Sequence, residues 1–457
     1  MNALHNPILP LDQLIPDVEA RVFNSPDGEK RLYLYGSNDI FGSSTWCSHR
    51  YKVFSAPLDD LSDWTDHGVS FASRKGEGYF WKGEDSVGID WCNEQLYAPD
   101  VIRIGNLYYL ITCNAGGPCL GVATSKTPEG PFSPAVKILY DDGSQTSSID
   151  PSIYVEEDTE TVYLLWGQRS SFGARGLLAA QLIPDENGIY SIVKRDTEQV
   201  LFTGDNDEFG FYEGASLRKI NGKYYILYPS DHGKGIHMMS YAIADSPLGP
   251  YRFGGDILDN DGCDLEPGNN HGSLCQINNQ WYLFYHRGFN NSNMQRRVCV
   301  EPIFFTSDGQ ICSVAMTNHG FGGPLDPYQE VEAAYATHVR IDGFPAGCYL
   351  TIKNNAHILT QIQDRNCVEY RDFDFGQTHA VSCEIVFKAE CNGSIDIILD
   401  DPHSLPIGTI SVSAKQECCT LCAPVQGKPG IHTVYFQFHT EHAHSLGDLY
   451  TFRFLAE

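Results

Sequence analysis

Aromatic and aliphatic residues recur in five short segments that share one pattern and alternate with polar stretches along the first 300 residues. Each segment is a predicted β-strand, and the spacing between segments leaves room for about four short strands per repeat. Successive segments lie 76, 54, 62 and 57 residues apart when they are aligned on Tyr33, Tyr109, Tyr163, Tyr225 and Tyr282. In chain order they read RLYLYG, LYYLIT, VYLLWG, YYILYP and WYLFYH.

A second short strand is predicted before each Tyr-rich strand, with a turn between the two. The turns include Pro-Asp-Gly at 26–28, Ile-Gly-Asn at 104–106 and Asn-Gly at 221–222. Turns of this composition join antiparallel strands into hairpins. Outer strands with a turn follow at 55–64, 123–132 and 241–251. Five such units predict an all-β chain that begins with a five-bladed β-propeller.

One polar residue leads the first strand of every repeat. If the five residues are equivalent, they meet at one end of the central channel, where the innermost strands of all blades start. Carboxylates crowded into a partly dry pocket repel, so one is driven towards protonation while another stays ionised. Hydrolysis of a glycosidic bond needs such a pair, whereas isolated acids more often cap turns. The five residues are Asp17, Asp100, Asp150, Glu213 and His271.

The Tyr-rich repeat stops after residue 322, and no tryptophan follows Trp281. Five further segments, at 379–389, 394–401, 407–414, 432–439 and 449–455, alternate apolar and polar residues. Strands at this spacing, with turns between them, are typical of a β-sandwich. The sequence therefore predicts a propeller over residues 1–322 and a sandwich over residues 323–457.

Composition narrows the class of ligand. The 457 residues include 31 Lys and Arg against 58 Asp and Glu, a net charge of −27. A chain this acidic, without a long basic cluster, is a poor partner for nucleic acid or an anionic membrane, whereas a neutral sugar is not repelled. The acidic excess is otherwise a solvated surface. A length above about 300 residues favours more than one domain.

The cysteines and the N-terminus predict a cytoplasmic location. Fifteen cysteines in a chain of this length fit reduced thiols. The N-terminus has no basic head followed by an apolar run, and no stretch of about 18 apolar residues occurs. The densest cysteine cluster lacks a second ligand pair at zinc-site spacing. It consists of Cys418, Cys419 and Cys422.

The motifs around the leading polar residues resemble glycoside hydrolase family 43, five-bladed propeller enzymes that act on arabinose- and xylose-containing glycans. The similarity runs through NPILP, IPDVEARVF, YAPDV, IDPSIYV, EGASLRKI and NNHGS to CVEPI near residue 303. It implies an inverting hydrolase with Asp17 as general base and Glu213 as general acid. Asp150 would orient the acid and raise its pKa. Glu19, on the same strand face as Asp17, is a rival for the base.

The same resemblance implies residues that contact the sugar or an ion. Arg287, in FYHRG, would offer its donors to the terminal sugar, with a surface ion pair as the alternative. His271 resembles a family histidine on the channel axis that contacts calcium or another ion through water, although no calcium loop is readable. No cofactor is implied for the chemistry. The other candidate sugar contacts, for which core packing is the alternative, are Tyr97, Asp100, Trp46, Trp91 and Phe211.

The second part of the chain resembles carbohydrate-binding module family 6. The similarity lies in VEA near its start, in VEYRDFDFG, in IDIILDDPHSLPIGTISV and in the closing FRF. It implies a sugar-binding domain, often with a structural calcium. Because no tryptophan follows Trp281, a packing domain that supports the propeller is the alternative to a glycan-binding domain.

These observations predict an exo-acting, inverting α-L-arabinofuranosidase. Its partners would be oligosaccharides or polysaccharide side chains that contain arabinose or xylose. A β-xylosidase or a galactofuranosidase is the alternative within the family. A non-catalytic, glycan-binding propeller is the alternative from another class, and it would not need its acids for turnover. The sequence carries no symmetry signal that indicates an oligomeric state.

Overall fold

The computed structural model describes residues 4–74, 88–205, 207–232, 238–260, 264, 269–414, 417–440 and 444–456. These residues form β-strands, connecting turns and three short 3-10 segments at Ser170–Phe172, Arg195–Thr197 and Ala333–Tyr335. None of the described helices is long and apolar enough to cross a membrane. The fourteen described cysteines are free thiols.

Five small sheets follow one another along the first part of the chain. Their strand orders are β1-β2-β3-β4, β5-β6-β7-β8, β10-β11-β12-β13-β9 with β14 beside β12, β15-β16-β17-β18, and β19-β20-β21. The strands are β1 (Glu19–Asn24), β2 (Lys30–Tyr35), β3 (Arg50–Pro57), β4 (Thr65–Ala72), β5 (Leu96–Ile104), β6 (Leu107–Asn114), β7 (Gly121–Ser125), β8 (Val136–Lys137), β9 (Leu139–Tyr140), β10 (Ser152–Glu156), β11 (Thr161–Gln168), β12 (Gly176–Pro184), β13 (Tyr190–Val193), β14 (Gln199–Phe202), β15 (Ser216–Ile220), β16 (Lys223–Ser230), β17 (Met238–Ala244), β18 (Arg252–Leu258), β19 (Ser273–Ile277), β20 (Gln280–Phe289) and β21 (Ser292–Ile303).

The five sheets are the blades of a propeller, which confirms the predicted fold. Their first strands contact one another in a closed ring, β1 to β5, β10, β15, β19 and back to β1. Each Tyr-rich segment is the second strand of its blade and pairs antiparallel with the first. Four of the five leading polar residues precede their first strand and Asp100 lies within β5, and all five lie along the channel.

The N-terminal segment closes the fifth blade. The backbone NH of Ile8 donates to the carbonyl of Val298 in β21 at 3.2 Å. The buried side chain of Asn6 exchanges hydrogen bonds of 2.8 and 2.9 Å with the backbone of Val300. These bonds occupy the outer edge of β21, so the blade does not end in an open strand edge.

The second part of the chain is the predicted β-sandwich. One sheet has the order β23-β24-β31-β26-β29 with β22 beside β31, and the other has the order β25-β30-β27-β28. The five segments predicted from alternation correspond to β26, β27, β28, β30 and β31, given below. The strands are β22 (Val331–Glu332), β23 (Tyr349–Lys353), β24 (Ala356–Thr360), β25 (Cys367–Asp374), β26 (Ala380–Ala389), β27 (Gly393–Leu399), β28 (Gly408–Val412), β29 (Cys419–Pro424), β30 (Ile431–Thr440) and β31 (Gly447–Ala456).

Apolar residues of the propeller join the core of the sandwich. Leu11, Leu14 and Phe289 belong to the same buried cluster as Val331 and Phe452. Arg297, at the start of the buried half of β21, donates from Nη1 to the carbonyl of Ala334 at 2.6 Å. The sandwich is thus packed against the first and fifth blades.

Candidate active site

The strand register shows how deep in the channel each leading polar residue lies. The aligned tyrosines lie opposite Arg21, Ile102, Tyr154, Arg218 and Cys275. Four residues earlier in each blade, at the pocket end, stand Asp17, Ala98, Asp150, Gly214 and His271. Glu213 immediately precedes one of these positions. The pocket end of the channel therefore carries three acids and a histidine.

A cavity of about 470 Å³ opens at this end of the channel. Its volume falls within the range of about 300–1,000 Å³ that is usual for small-molecule sites. The residues predicted for the site that line the cavity are Asp17, Asp150, Glu213, His271, Trp46 and Tyr97.

Backbone strain accompanies the acids. Asp17 and Asp150 adopt left-handed φ angles of 57° and 53°, which residues other than glycine rarely take. Gly214, at the equivalent position in the fourth blade, has φ of 53°. Such strain persists only where the surrounding structure enforces it, and it clusters at functional sites.

Asp17 is held as a carboxylate. Its Oδ1 accepts from Arg296 Nη1 at 3.0 Å and its Oδ2 accepts from Ser37 Oγ at 2.6 Å. Burial alone would raise the pKa of Asp17, but the Arg296 guanidinium and the contact with His286 together outweigh it and hold that pKa well below its ordinary value. Asp17 is therefore ionised throughout the neutral range and able to accept a proton.

Arg296 is itself fixed by a second carboxylate. Asp39 accepts from its Nε and Nη2, both at 2.9 Å. The guanidinium also lies 4.9 Å from the ring centre of Trp46. A bidentate pair and an aromatic face together restrict the side chain to one orientation.

Asp150 and Glu213 have the opposite electrostatic environment. Burial raises the pKa of Asp150, and the charges of Glu213 and Asp17 raise it further. Burial also raises the pKa of Glu213, opposed by a hydrogen bond from Gln168 Nε2 to its Oε2 at 3.0 Å. Two acids with raised pKa thus share a cavity with one of lowered pKa, which is the separation that acid and base catalysis requires.

His271 lies between the acids as a neutral ring. Its Nδ1 is 3.8 Å from Asp17 Oδ1 and 4.0 Å from Asp150 Oδ2. Burial lowers the pKa of His271 to about 4 despite the nearby charge of Asp17. A Cβ atom on Gly214 would stand 2.6 Å from this ring, so the absence of a side chain there makes room for the imidazole.

The residues around His271 do not fit a directly bound calcium ion. Calcium takes six to eight oxygen ligands. No group of three or more His, Cys, Asp or Glu side chains is arranged to hold a metal ion within the part of the chain that the structure describes. Both oxygens of Asp17 already accept hydrogen bonds from protein groups. No catalytic step is assigned to a metal.

The propeller matches the family model of glycosyl hydrolases family 43 over residues 6–311. The chain belongs to this family. Residues 346–456 match the model of carbohydrate binding module family 6. The chain is therefore an inverting glycoside hydrolase, and chemistry in family 43 requires no cofactor. Membership also favours the hydrolase over a non-catalytic propeller.

Named relatives cover nearly the whole chain. The protein named Xylosidase/arabinosidase of Thermoclostridium stercorarium is 32% identical over 484 residues, covering 96% of this chain and 97% of its own length. Arabinoxylan arabinofuranohydrolase of Bacillus subtilis is 27% identical over 438 residues, covering 89% and 83%. A crystal structure of a family 43 arabinoxylan arabinofuranohydrolase from Bacillus subtilis, in complex with cellotetraose, has a TM-score of 0.54 at 23% identity. It covers 100% of this chain and 98% of its own, and shows the same fold.

Asp100 does not belong to the acids of this family 43 pocket. It lies two residues deeper in its blade than Asp17 does, level with Glu19. It accepts from Arg21 Nη2 at 2.7 Å and from Ser152 Oγ at 3.1 Å. Glu19 accepts from Arg218 Nη2 at 2.6 Å. Both acids are paired inside the channel, so the prediction of Asp100 as a sugar contact is wrong and Glu19 is not placed to act as the base.

Three further predicted contacts lie away from the cavity. Arg287 is fully buried in β20, where it faces Arg297 across the hairpin and donates to the carbonyl of Thr317 at 3.5 Å. Phe211 is fully buried in an aromatic cluster of the third and fourth blades. Trp91 packs beside Gly121, with Lys137 Nζ 5.6 Å from its ring centre. These three side chains serve packing, so their assignment to the sugar site is wrong.

The cavity contains residues that the sequence did not single out. The sequence predicted that Arg287, on β20, would face the cavity. The arginine that lines it is Arg296, on the next strand, β21. Tyr212 faces the cavity because neighbouring residues of an extended segment point to opposite sides, which turns Phe211 inward. Gln168 ends β11, and Phe172 follows it in a 3-10 turn. The Arg-Arg pair in QRRV was the one signal for Arg296 in the sequence. Neighbouring residues of a strand point to opposite sides, so only one of the two arginines can face the channel.

Proposed function

We propose that this family 43 hydrolase removes terminal α-L-arabinofuranosyl residues from oligosaccharides or polysaccharide side chains that contain arabinose or xylose. The observation that carries the proposal is the shared cavity of one ionised and two proton-holding acids. The names of the relatives, Xylosidase/arabinosidase and Arabinoxylan arabinofuranohydrolase, support this substrate class. A cavity of about 470 Å³, within the usual range of small-molecule sites, supports exo action on one terminal sugar.

Asp17 is the general base in this proposal. Its carboxylate, held ionised by Arg296, accepts a proton from a water molecule as the water oxygen attacks the anomeric carbon. Ser37 and Arg296 bind the two carboxylate oxygens and fix the direction of proton transfer. One attack from this side inverts the configuration at the anomeric carbon.

Glu213 is the general acid. It donates its proton to the glycosidic oxygen as the bond between that oxygen and the anomeric carbon breaks, so that the leaving sugar departs as an alcohol. Asp150 is a positioning residue whose negative charge, when present, resists ionisation of Glu213. The cycle ends with a proton on Asp17 and a carboxylate at Glu213, and exchange with solvent restores both.

A β-xylosidase is the second candidate. The Thermoclostridium stercorarium relative carries both activities in its name, and a Xylanibacter ruminicola relative is named Beta-xylosidase at 30% identity over 254 residues. The same three acids serve either sugar, because each reaction needs a base, an acid and inversion. A galactofuranosidase also has a named relative, from Aspergillus niger, at 26% identity.

Hydrolysis of a panel of glycosides tests the proposal. Nitrophenyl α-L-arabinofuranoside, β-D-xyloside and β-D-galactofuranoside are offered to the wild type, to Glu213→Gln and to Asp17→Asn. We expect cleavage of the arabinofuranoside by the wild type, and a loss of at least about a hundredfold in both variants. Asp158→Asn, which alters an exposed acid, is the matched control. Equal activity of all four proteins contradicts the assigned roles.

The stereochemistry of the product is determined in the same reaction. Proton NMR during the first minutes of hydrolysis distinguishes the anomer that forms first. Formation of the inverted anomer supports a water molecule activated by Asp17. Initial formation of the retained anomer contradicts the single-displacement mechanism.

A further inference from the structure

An exposed aromatic side chain stands at the mouth of the cavity. Phe172 is 51% exposed, although it lines the pocket and ends the 3-10 turn Ser170–Phe172. Its ring packs edge-on against the ring of Tyr212, with the centres 5.2 Å apart and the planes at 82°. An aromatic side chain that is half exposed and also lines a cavity is placed to contact a ligand there.

Ion pairs hold this aromatic pair in place. Arg169 Nε lies 3.2 Å from Asp205 Oδ1, and its Nη1 lies 3.0 Å from Asp231 Oδ2. The same guanidinium is 5.9 Å from the ring centre of Phe172 and 5.4 Å from that of Tyr212. The backbone NH of Arg169 donates to the carbonyl of Tyr212 at 2.8 Å. The turn is therefore fixed in front of the cavity, and ordering Phe172 on binding loses little entropy.

The aromatic pair lies on the side of the proposed general acid. Tyr212 immediately precedes Glu213, and Gln168, which bonds Glu213, lies four residues before Phe172. The acid must reach the oxygen of the leaving group, so the leaving group stands on its side of the scissile bond. Trp46, by contrast, packs over Arg296 beside Asp17. The two aromatic regions thus flank opposite ends of the reacting bond.

We propose that Phe172 and Tyr212 form the subsite for the leaving group, and that it binds the pyranose ring of the sugar unit that is released as the alcohol. The apolar face of a neutral pyranose fits an aromatic ring by dispersion and burial of CH groups. This inference rests on the proposed function. It makes Phe172 a specificity-determining residue that favours glycans with a ring next to the terminal sugar.

Kinetics with two leaving groups test the subsite. The first substrate is xylotriose substituted with the terminal sugar that the panel assay identifies, and the second is the methyl glycoside of that sugar. Both release an alcohol after proton donation by Glu213, but only the first has a ring to stack. We expect Phe172→Ala to lower kcat/KM about tenfold on the oligosaccharide, mainly through KM, and to change the methyl glycoside less than twofold.

Two control variants accompany Phe172→Ala. Phe172→Trp keeps an aromatic face and is expected to retain oligosaccharide activity within about threefold. Phe304→Ala removes another exposed aromatic side chain, 59% exposed and outside the cavity lining, and is expected to leave both substrates unchanged. Retention in Phe172→Trp assigns the loss to the aromatic surface itself.

The outcomes that overturn the proposal are distinct from a failure of the proposed function. An active wild type with unchanged oligosaccharide kinetics in Phe172→Ala overturns the subsite alone. Equal losses on both substrates also overturn it, since they indicate a distorted cavity and not a lost leaving-group contact. A wild type that cleaves no glycoside overturns the proposed function and the subsite with it.

Discussion

The ionisation of Glu213 reflects a balance between burial and one hydrogen bond. Burial and the charge of Asp17 raise its pKa, while Gln168 Nε2 stabilises the carboxylate from 3.0 Å. Asp150 and Glu213 interact strongly, so their protons leave in steps that belong to the pair. The alkaline limb of the pH profile of kcat/KM therefore reports this pair. Asp17, whose pKa lies well below its usual range, stays ionised across the pH range of the assay.

Gln168→Met is expected to move the alkaline limb to higher pH. The methionine keeps the side-chain length but cannot donate, so the Glu213 carboxylate loses stabilisation and its pKa rises. Glu213 then stays protonated, and active as the acid, to higher pH. We expect a decrease in kcat of less than tenfold at the optimum, because the acid loses one orienting contact. The pH profile of kcat/KM is the measurement, with the wild-type profile as the reference. A shift of the alkaline limb to lower pH contradicts this account.

Glu213→Gln is expected to raise thermal stability at pH 7.5 while it removes activity. A carboxyl group whose pKa is higher in the folded state than in the unfolded state costs stability once the pH exceeds its unfolded value, about 4.3. Glutamine removes that cost, and a rise in melting temperature of about 2 °C is expected. The gain should shrink as the pH falls towards 4.5, because the pH then approaches the unfolded-state pKa of about 4.3 and the acid is partly protonated in the unfolded state too. Melting curves at the two pH values measure this, and a lower melting temperature of the variant at pH 7.5 contradicts it.

At the scale of elements, the β15–β16 hairpin positions Glu213, the proposed general acid, by its backbone. Gly214 lies just before β15 with φ of 53°, and Gly222 lies in the turn of the same hairpin with φ of 77°. A Cβ atom at Gly214 would stand 2.6 Å from the ring of His271, whereas one at Gly222 would have no atom within 4 Å. The two glycines share a left-handed backbone conformation but differ in what surrounds them.

Gly214→Ala is expected to lower both stability and activity, and Gly222→Ala is expected to lower stability alone. Each alanine strains a left-handed backbone, at a cost of about 1 kcal/mol. Only the alanine at 214 displaces His271 and the adjacent Glu213, so kcat should fall tenfold or more in that variant. Denaturant melts and steady-state kinetics on both proteins give the comparison. Equal kcat values in the two variants contradict the importance of the contact with His271.

Repetition explains why most of the fold could be predicted from the sequence. Five Tyr-rich strands with hairpin turns indicate a propeller, because the same pattern occurs five times and each repeat supports the interpretation of the others. In the sandwich, β23, β24, β25 and β29 were not predicted, because they lack a repeat and carry a weaker alternation. The acids Asp17, Asp150 and Glu213 were found because their motifs recur at the start of blades. Asp100 was misassigned because the leading polar residue of its blade is offset by two positions, which only the strand register reveals.

Contacts between distant parts of the chain account for what the sequence missed. Arg296 meets Asp17 across 279 residues, and only the closed ring of blades brings them together. Arg287 and Arg296 lie on paired strands of one hairpin, and which arginine faces the cavity depends on the register of that hairpin. Tyr212 and Phe211 differ only in the side to which they point. These choices are set by packing, which leaves no local pattern in the sequence.

At the scale of the whole molecule, the fifth blade connects the cavity to the sandwich. The hairpin of β20 and β21 turns at Asn290 and Asn291, with φ angles of 56° and 54° that suit a two-residue turn. The side chain of Asn290 exchanges hydrogen bonds of 2.8 and 2.7 Å with the backbone of Leu350, in the end strand β23. An amide group thus covers a sheet edge as another strand would. On the same hairpin Arg296 reaches Asp17, so the sandwich supports the part of the propeller that holds the proposed base.

Asn290→Gly tests this support without disturbing the turn, because glycine accepts the left-handed φ. Two hydrogen bonds to a buried backbone are lost, and we expect the free energy of unfolding to fall by about 2 kcal/mol. We also expect kcat/KM to fall several-fold, because the hairpin that carries Arg296 loses its anchor. Asn221→Gly, in the exposed turn of the β15–β16 hairpin at φ of 49°, is the matched control and should leave both quantities nearly unchanged. Denaturant unfolding and steady-state kinetics are the measurements. A drop in stability with unaltered kcat/KM would show that the sandwich only packs against the propeller, whereas a drop in both supports a role in positioning the base.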